Sequence, residues 1–327
     1  GWPTISTSGM GVRDGVPSAG IVYTSAPDLA AISGGDQHMH PGVVGLMPRD
    51  PRDITAETAT RIRAHGFTGV TVRIEQPLDA EQHVFERAGH ILRDGGVQVA
   101  QANPNYEILV HPDPQRRELG VRQLQRACTV ARWLGAGNVY VRPGSLNPAG
   151  PWTPHQHNTR LATLERLVTA LREAVKAAEQ EGVPLCLEGG AVSPLDTPER
   201  VRDVIEAVGS PWLRFNMDPV NFVGSLADAY NTTSLVNRLY DLLGTYVICA
   251  HVKDFRVESR LLVQMNECLL GEGLMDQETF LRRFEACCPD GFVMIEHLPD
   301  KRIPDAKRKL DALVARAGLT WKDAPAL

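Results

Sequence analysis

The sequence predicts a (β/α)8 barrel with an N-terminal extension. First, eight short apolar runs rich in β-branched residues recur between residues 43 and 317. Near-continuous apolarity over so few residues is the mark of a parallel strand buried on both faces. Second, most of these runs lead into an amphipathic stretch closed by Gly or Pro, so strand and helix alternate along one chain. Third, no GxGxxG follows the first run and no low-complexity linker divides the chain, which disfavours a doubly wound open sheet. The expected division is an extension over 1–42, rich in Gly, Ser and Pro, and a catalytic barrel over 43–327.

The eight expected strands are Val43–Met47, Gly69–Arg73, Val97–Ala102, Asn138–Arg142, Pro184–Glu188, Leu213–Asp218, Val247–Lys253 and Phe292–Glu296. A helix over Ile54–His65 is expected to start after Asp53 as N-cap and to stop at Gly66. Leu119, Leu124, Ala127, Ala131 and Leu134 form a stripe that Gly135 ends. Leu161 through Val175 repeat at spacings of three and four, and Gly182 and Pro184 close that pattern. Thr197-Pro198-Glu199 opens a helix with Pro in its first turn. Asp276–Cys287 and Pro304–Ala317 complete the series.

Composition bounds the function. The chain carries 34 basic and 39 acidic residues, a net charge of -5, which argues against a nucleic-acid partner. No apolar run approaches the ~18 residues of a membrane span, so no membrane partner is expected. Gly1-Trp2-Pro3 shows no signal-peptide pattern, and the six cysteines, at 128, 186, 249, 268, 287 and 288, form no CxxC pair. Reduced thiols and a cytoplasmic location are the expectation.

In a barrel, residues at the C-terminal ends of strands face the active site. The fifth expected strand ends at Glu188, the sixth at Asp218, the seventh carries His251 and the eighth carries Glu296. Each alone reads as a strand-end residue bonded to a loop. Together, three carboxylates in one narrow mouth repel unless their pKa values rise or a cation lies between them. One imidazole among oxygen ligands suits Mn²⁺ best, with Mg²⁺ or Co²⁺ as alternatives.

These residues sit in the segments Leu187-Glu188, Thr197–Glu199, Met217–Asn221 (MDPVN), His251–Asp254 (HVKD), Gly271–Asp276 (GEGLMD) and Ile295–His297 (IEH). In order and spacing they resemble the xylose-isomerase-like barrels. That group includes sugar isomerases and epimerases, inosose dehydratase and apurinic-site endonucleases. The resemblance spans about residues 43–317. It implies that Glu188, Asp218, His251 and Glu296 hold one divalent metal, and that Glu188 and Glu296 also act as the catalytic acid–base pair. Epimerisation beside a carbonyl removes a proton on one face and returns one on the other, while the metal stabilises the enediolate charge. Two departures point toward the inosose-dehydratase side of the group. Asn221 stands where the ketose epimerases commonly have histidine, and HVKD replaces their His-x-Gly-Glu-like stretch.

Further substrate contacts are expected at Arg142 and Gln101, which end strands, at Asn221, and at Lys253, which shares the strand face of His251. An ion pair with a nearby carboxylate is the other reading of Lys253. The long stretch after the fourth strand holds His155, a candidate lid residue. His297 is expected to turn away from the barrel interior, and His38-Met39-His40 to precede the first strand without a metal role. The GEG stretch at Gly271–Gly273 could donate backbone amides to a phosphate.

The expected activity is metal-dependent proton abstraction beside the carbonyl of a sugar, keto-sugar or cyclitol, giving an isomer or epimer. The alternative is a lyase on the same site, either a keto-cyclitol dehydratase or a deglycosidase of 3-keto-C-glycosides working with a small β-rich partner subunit. A homo- or hetero-oligomer is expected in either case. An apurinic-site nuclease would need further strand-end histidines, and a purely binding barrel would hold no metal.

Overall fold

The computed structural model describes residues 38–322. Most of the extension expected over 1–42 therefore lies outside the described residues. Eight parallel strands close into a barrel: β1 (His40–Val43), β2 (Gly69–Ile74), β3 (Gln98–Pro104), β4 (Val139–Val141), β5 (Leu185–Leu187), β6 (Leu213–Met217), β7 (Val247–Val252) and β10 (Phe292–Ile295). β1 pairs with β2 on one side and β10 on the other, which completes the ring. The remaining strands, β8 (Asp254–Val257) and β9 (Met265–Cys268), form an antiparallel pair inserted after β7.

The first strand lies three residues earlier than expected, and His40 opens it. Pro41-Gly42 reads as a chain breaker, yet a Cβ on Gly42 would lie 2.1 Å from Met294 Sδ. The absent side chain of Gly42 leaves the space that Met294 fills at the barrel floor. The strand ends at Val43, and three residues beyond it Leu46 has a left-handed φ of 60°.

Nine helices are described: α1 (Ala56–Ala64), α2 (Gln82–Asp94), α3 (Pro114–Leu134), α4 (Leu161–Glu181), α5 (Pro198–Val208), α6 (Leu226–Ala229), α7 (Thr232–Leu243), α8 (Gln277–Cys287) and α9 (Ile303–Arg316). Their ends follow local chemistry. Asp113 caps α3 by accepting from Gln115 N at 2.9 Å, and Gly135 closes it at φ 68°. Thr197 caps α5 through Arg200 N, and Asp276 caps α8 through Thr279 N. Asp53 is not the cap of α1. It ends a 3-10 turn over Pro51–Asp53, and Thr55 takes the cap position.

Alternation along each strand separates two cores. Val70, Val72, Val139, Val141, Phe215, Met217, Val293 and Ile295 point outward into the large core under the helices. Ala100, Cys186, Cys249 and Met294 form a small inner layer at the barrel floor. Above that layer the inward positions turn polar.

A candidate metal centre at the barrel mouth

The inward positions above the floor include Gln101 on β3, Tyr140 on β4, Asn216 on β6 and His251 on β7, with Glu188, Asp218, Lys253 and Glu296 at strand ends; all eight are buried. Period-two alternation puts Asn216 and Asp218 on one face, and Cys249, His251 and Lys253 on another. At β2–β3 the register passes from Val70↔Val99 to Thr71↔Gln101, so Ala100 is an extra residue. This bulge turns Gln101 inward beside Ala100.

Glu188, Asp218, His251 and Glu296 each offer a ligand atom, and these atoms all lie within 4.8 Å of one another. His251 Nδ1 is 3.2 Å from Glu188 Oε1 and 3.0 Å from Glu296 Oε2, yet it makes no directed hydrogen bond. Lys253 Nζ lies 2.7 Å from Glu296 Oε1 and 2.9 Å from Asp218 Oδ2. Asp218 Oδ1 has no hydrogen-bond partner although the side chain is fully buried. An unpartnered carboxylate oxygen and an imidazole nitrogen, both facing other carboxylates, are donors of the kind that could hold a divalent cation.

A chain of amides fixes the direction of His251. Glu188 Oε1 can only accept, so Asn216 turns its Nδ2 to it at 2.8 Å. Asn216 Oδ1 then faces Gln101 Nε2 at 3.5 Å, and Gln101 Oε1 faces His251 Nε2 at 3.2 Å. The Nε2 proton is thus donated to Gln101, which leaves Nδ1 as the ring atom that faces the cluster. The Tyr140 hydroxyl donates to the other Glu188 oxygen, Oε2.

The electrostatics follow from burial and close charge. Burial raises the Asp218 carboxyl, and although Lys253 opposes this the pKa reaches about 7. Burial alone would lower His251, but Glu296 and Glu188 overcome it and raise it to about 10. Burial pushes Glu296 up, whereas His251 and Lys253 hold it well below the usual carboxylate range. Lys253 stays charged because Asp218 and Glu296 outweigh its desolvation. Burial, then the Glu188 and Glu296 charges, keep Tyr140 well above its ordinary value and so protonated. Without an ion, protonated His251 and Lys253 supply the positive charge among the three carboxylates; a divalent ion would displace the His251 Nδ1 proton and take its place.

The other candidates divide. Gln101 and Lys253 stand inside the cluster. Arg142 makes two contacts of its own: its NH2 donates to Pro104 O at 2.9 Å and its guanidinium covers the Tyr106 ring at 4.5 Å. Asn221 lies on a 3-10 turn after β6, where its carbonyl accepts from Ala191 N at 2.7 Å. His155 lies on the loop before α4 with its ring 5.3 Å from that of His157, and it lines a cavity with Asn158, Val192 and Ser193. His297 is half exposed, at φ 56°, with Nδ1 2.9 Å from Glu267 Oε1 on β9. The GEG amides are already taken, because Asp254 accepts from Gly271 N and Gly273 N at 2.9 and 3.0 Å. Tyr140 and Asn216 were missed by sequence reasoning. Alternation in Val139-Tyr140-Val141 carries the signal for the first, as the two valines belong outside.

The sequence profile described as xylose isomerase-like TIM barrel matches residues 59–316. The chain belongs to that family. No curated protein matches it in sequence. Among solved structures, a xylose isomerase domain protein from Planctomyces limnophilus is similar, with 17% identity and a TM-score of 0.65 over 87% of this chain and 99% of that one. A xylose isomerase-like TIM barrel protein from Mycobacterium smegmatis, in complex with magnesium, has 18% identity and a TM-score of 0.62 over 80% of this chain and 87% of that one. The 3-keto-D-glucoside 4-epimerase of E. coli has 17% identity and a TM-score of 0.62 over 85% of this chain and 99% of that one. At these identities the likeness is one of fold.

Proposed function

We propose that this family member is a divalent-metal-dependent sugar isomerase or epimerase that abstracts a proton beside a carbonyl. The observation that carries the reading is the buried Glu188–Asp218–His251–Glu296 set, drawn from four strand ends, with its donor atoms within 4.8 Å of one another. These four residues would hold the ion, Mn²⁺ first among the candidates. Magnesium in the Mycobacterium smegmatis relative keeps Mg²⁺ open as the resident ion. A divalent ion there supplies positive charge beside the substrate oxygens as negative charge develops on them.

The chain's own residues supply the rest. Glu188 and Glu296 approach His251 Nδ1 from two sides, at 3.2 and 3.0 Å, so a substrate held over the cluster meets a carboxylate from each strand. One takes the proton at its carboxylate oxygen and the other returns one. Lys253 keeps Glu296 ionised, and Tyr140 holds the orientation of Glu188. Arg142, Asn221 and His155, on loops of the same rim, are the proposed further sugar contacts. All six cysteines are free, in support of a reducing, cytoplasmic location.

A lyase is the second reading, favoured by Asn221 in place of the epimerases' histidine. Both reactions begin with the same proton. Incubation of the Mn²⁺-loaded protein with keto-sugars in D2O should wash deuterium into recovered sugar. An unsaturated or cleaved product would favour the lyase instead. Chelation with EDTA should abolish exchange and Mn²⁺ should restore it. Glu188→Gln, Asp218→Asn, His251→Ala and Glu296→Gln should each lower metal content. Full activity of chelated protein would refute the assignment.

A further inference from the structure

A cavity of about 310 Å³ opens at the barrel mouth on the side away from β5 and β6, where Arg49, Thr71 and Arg73 stand among the apolar Val44, Met47 and Pro48. Its walls adjoin the metal centre on both flanks. Val44 N donates to Ile295 O at 2.7 Å, next to Glu296. Thr71 is the register partner of Gln101, which orients His251.

Along β2, Val70, Val72 and Ile74 point outward to the helices, so Thr71 and Arg73 share the inward face. Thr71 is 4% exposed, and its Oγ1 has no hydrogen-bond partner. Arg49 is held by Glu75 Oε1 at 2.8 Å. The Arg73 side chain has neither a hydrogen bond nor a counter-ion among the described residues. The cavity therefore combines one uncommitted guanidinium with one buried hydroxyl that lacks a partner. A buried hydroxyl left unpaired is costly, and an arginine fork matches the oxygens of a carboxylate or phosphate.

We propose that this cavity receives an anionic group of the sugar substrate, a carboxylate or a phosphate at the end remote from the reacting carbon. Arg73 pairs with the charge and Thr71 donates its hydroxyl. This rests on the reading of the cluster as a sugar-handling metal centre, and it narrows the substrate class to acidic sugars.

The test is calorimetric binding to Mn²⁺-loaded protein of two matched sets: D-fructose, its 6-phosphate and D-fructuronate, and D-tagatose, its 6-phosphate and D-tagaturonate. At least one anionic member should bind tenfold or more tighter than its neutral parent, on the order expected for hydrogen bonds to a charged group. Whether phosphate or uronate binds tighter identifies the anion. Arg73→Gln should remove the preference, and Thr71→Val should reduce it. Arg73 is exposed at a strand end, so the variant should keep its melting temperature and Mn²⁺ content. Mn²⁺ uptake with no preference for any anionic sugar, or a preference that survives in Arg73→Gln, overturns the inference and leaves the metal reading standing. A protein that takes up no Mn²⁺ overturns both.

Discussion

Lys253 donates to Glu296 Oε1 at 2.7 Å, with both side chains buried. The ammonium also faces Asp218, so it is a fixed cation among three carboxylates. Removing one partner of a buried ion pair leaves an uncompensated charge and costs about 3–5 kcal/mol. Lys253→Met should therefore lower the stability of metal-free protein by that order in urea denaturation. Mn²⁺ should raise the stability of the variant more than that of the wild type, because it replaces the lost positive charge. Equal stability of the two metal-free proteins would show that Lys253 is not the counter-ion.

Gln101 acts on the centre through His251 rather than by touching its ligand atoms. Partners that orient a ligating histidine typically change metal affinity ~10–100-fold. Gln101→Leu should weaken Mn²⁺ binding by about that factor in a chelator competition, with the fold retained. Unchanged affinity would mean that packing alone holds the imidazole.

The four cluster residues were legible because a buried parallel strand is almost purely apolar, so a charged residue at its end stands out. Glu188, Asp218, His251 and Glu296 interrupt or follow such runs. What the sequence hid depends on contacts distant along the chain. Pro41-Gly42 looks like a turn until Met294 is seen to fill the space of a missing Cβ. The bulge at Ala100, which aims Gln101, leaves no mark in composition. The β8–β9 pair escaped because its connection carries Leu261 and Leu262 at 100% and 82% exposure, so apolar residues there do not report burial.

Asp254 explains why HVKD and GEGLMD occur together. Its carboxylate accepts from the backbone N–H groups of Phe255, Gly271, Gly273 and Met275, at 2.9 to 3.1 Å. A Cβ on Gly273 would lie 2.1 Å from Asp254 Oδ1, so glycine is required for the approach. Asp254→Ala would strand several donors, each worth about 1–3 kcal/mol when buried. The variant should lose at least ~2 kcal/mol and be cleaved faster by protease within residues 258–275. Wild-type resistance to cleavage would show that other contacts hold the segment.

The acid–base assignment is separable from ligation. Asp218 and His251 are proposed to bind metal only, whereas Glu188 and Glu296 also move protons. Glu296→Asp and Glu188→Asp keep a carboxylate but withdraw it by one methylene. A displacement of ~1 Å in a reacting group can cost ~100-fold in rate. The loss should appear in kcat with KM little changed, since an interaction made chiefly in the transition state is weakened. Metal content is measured first, because a variant that loses the ion reports ligation and not proton transfer. If both variants retain Mn²⁺ and exchange substrate deuterium at the wild-type rate, neither glutamate is the base. Lys253, already charged and paired with Glu296, would be the poorer replacement, and His155 on the rim loop would be the next residue to substitute.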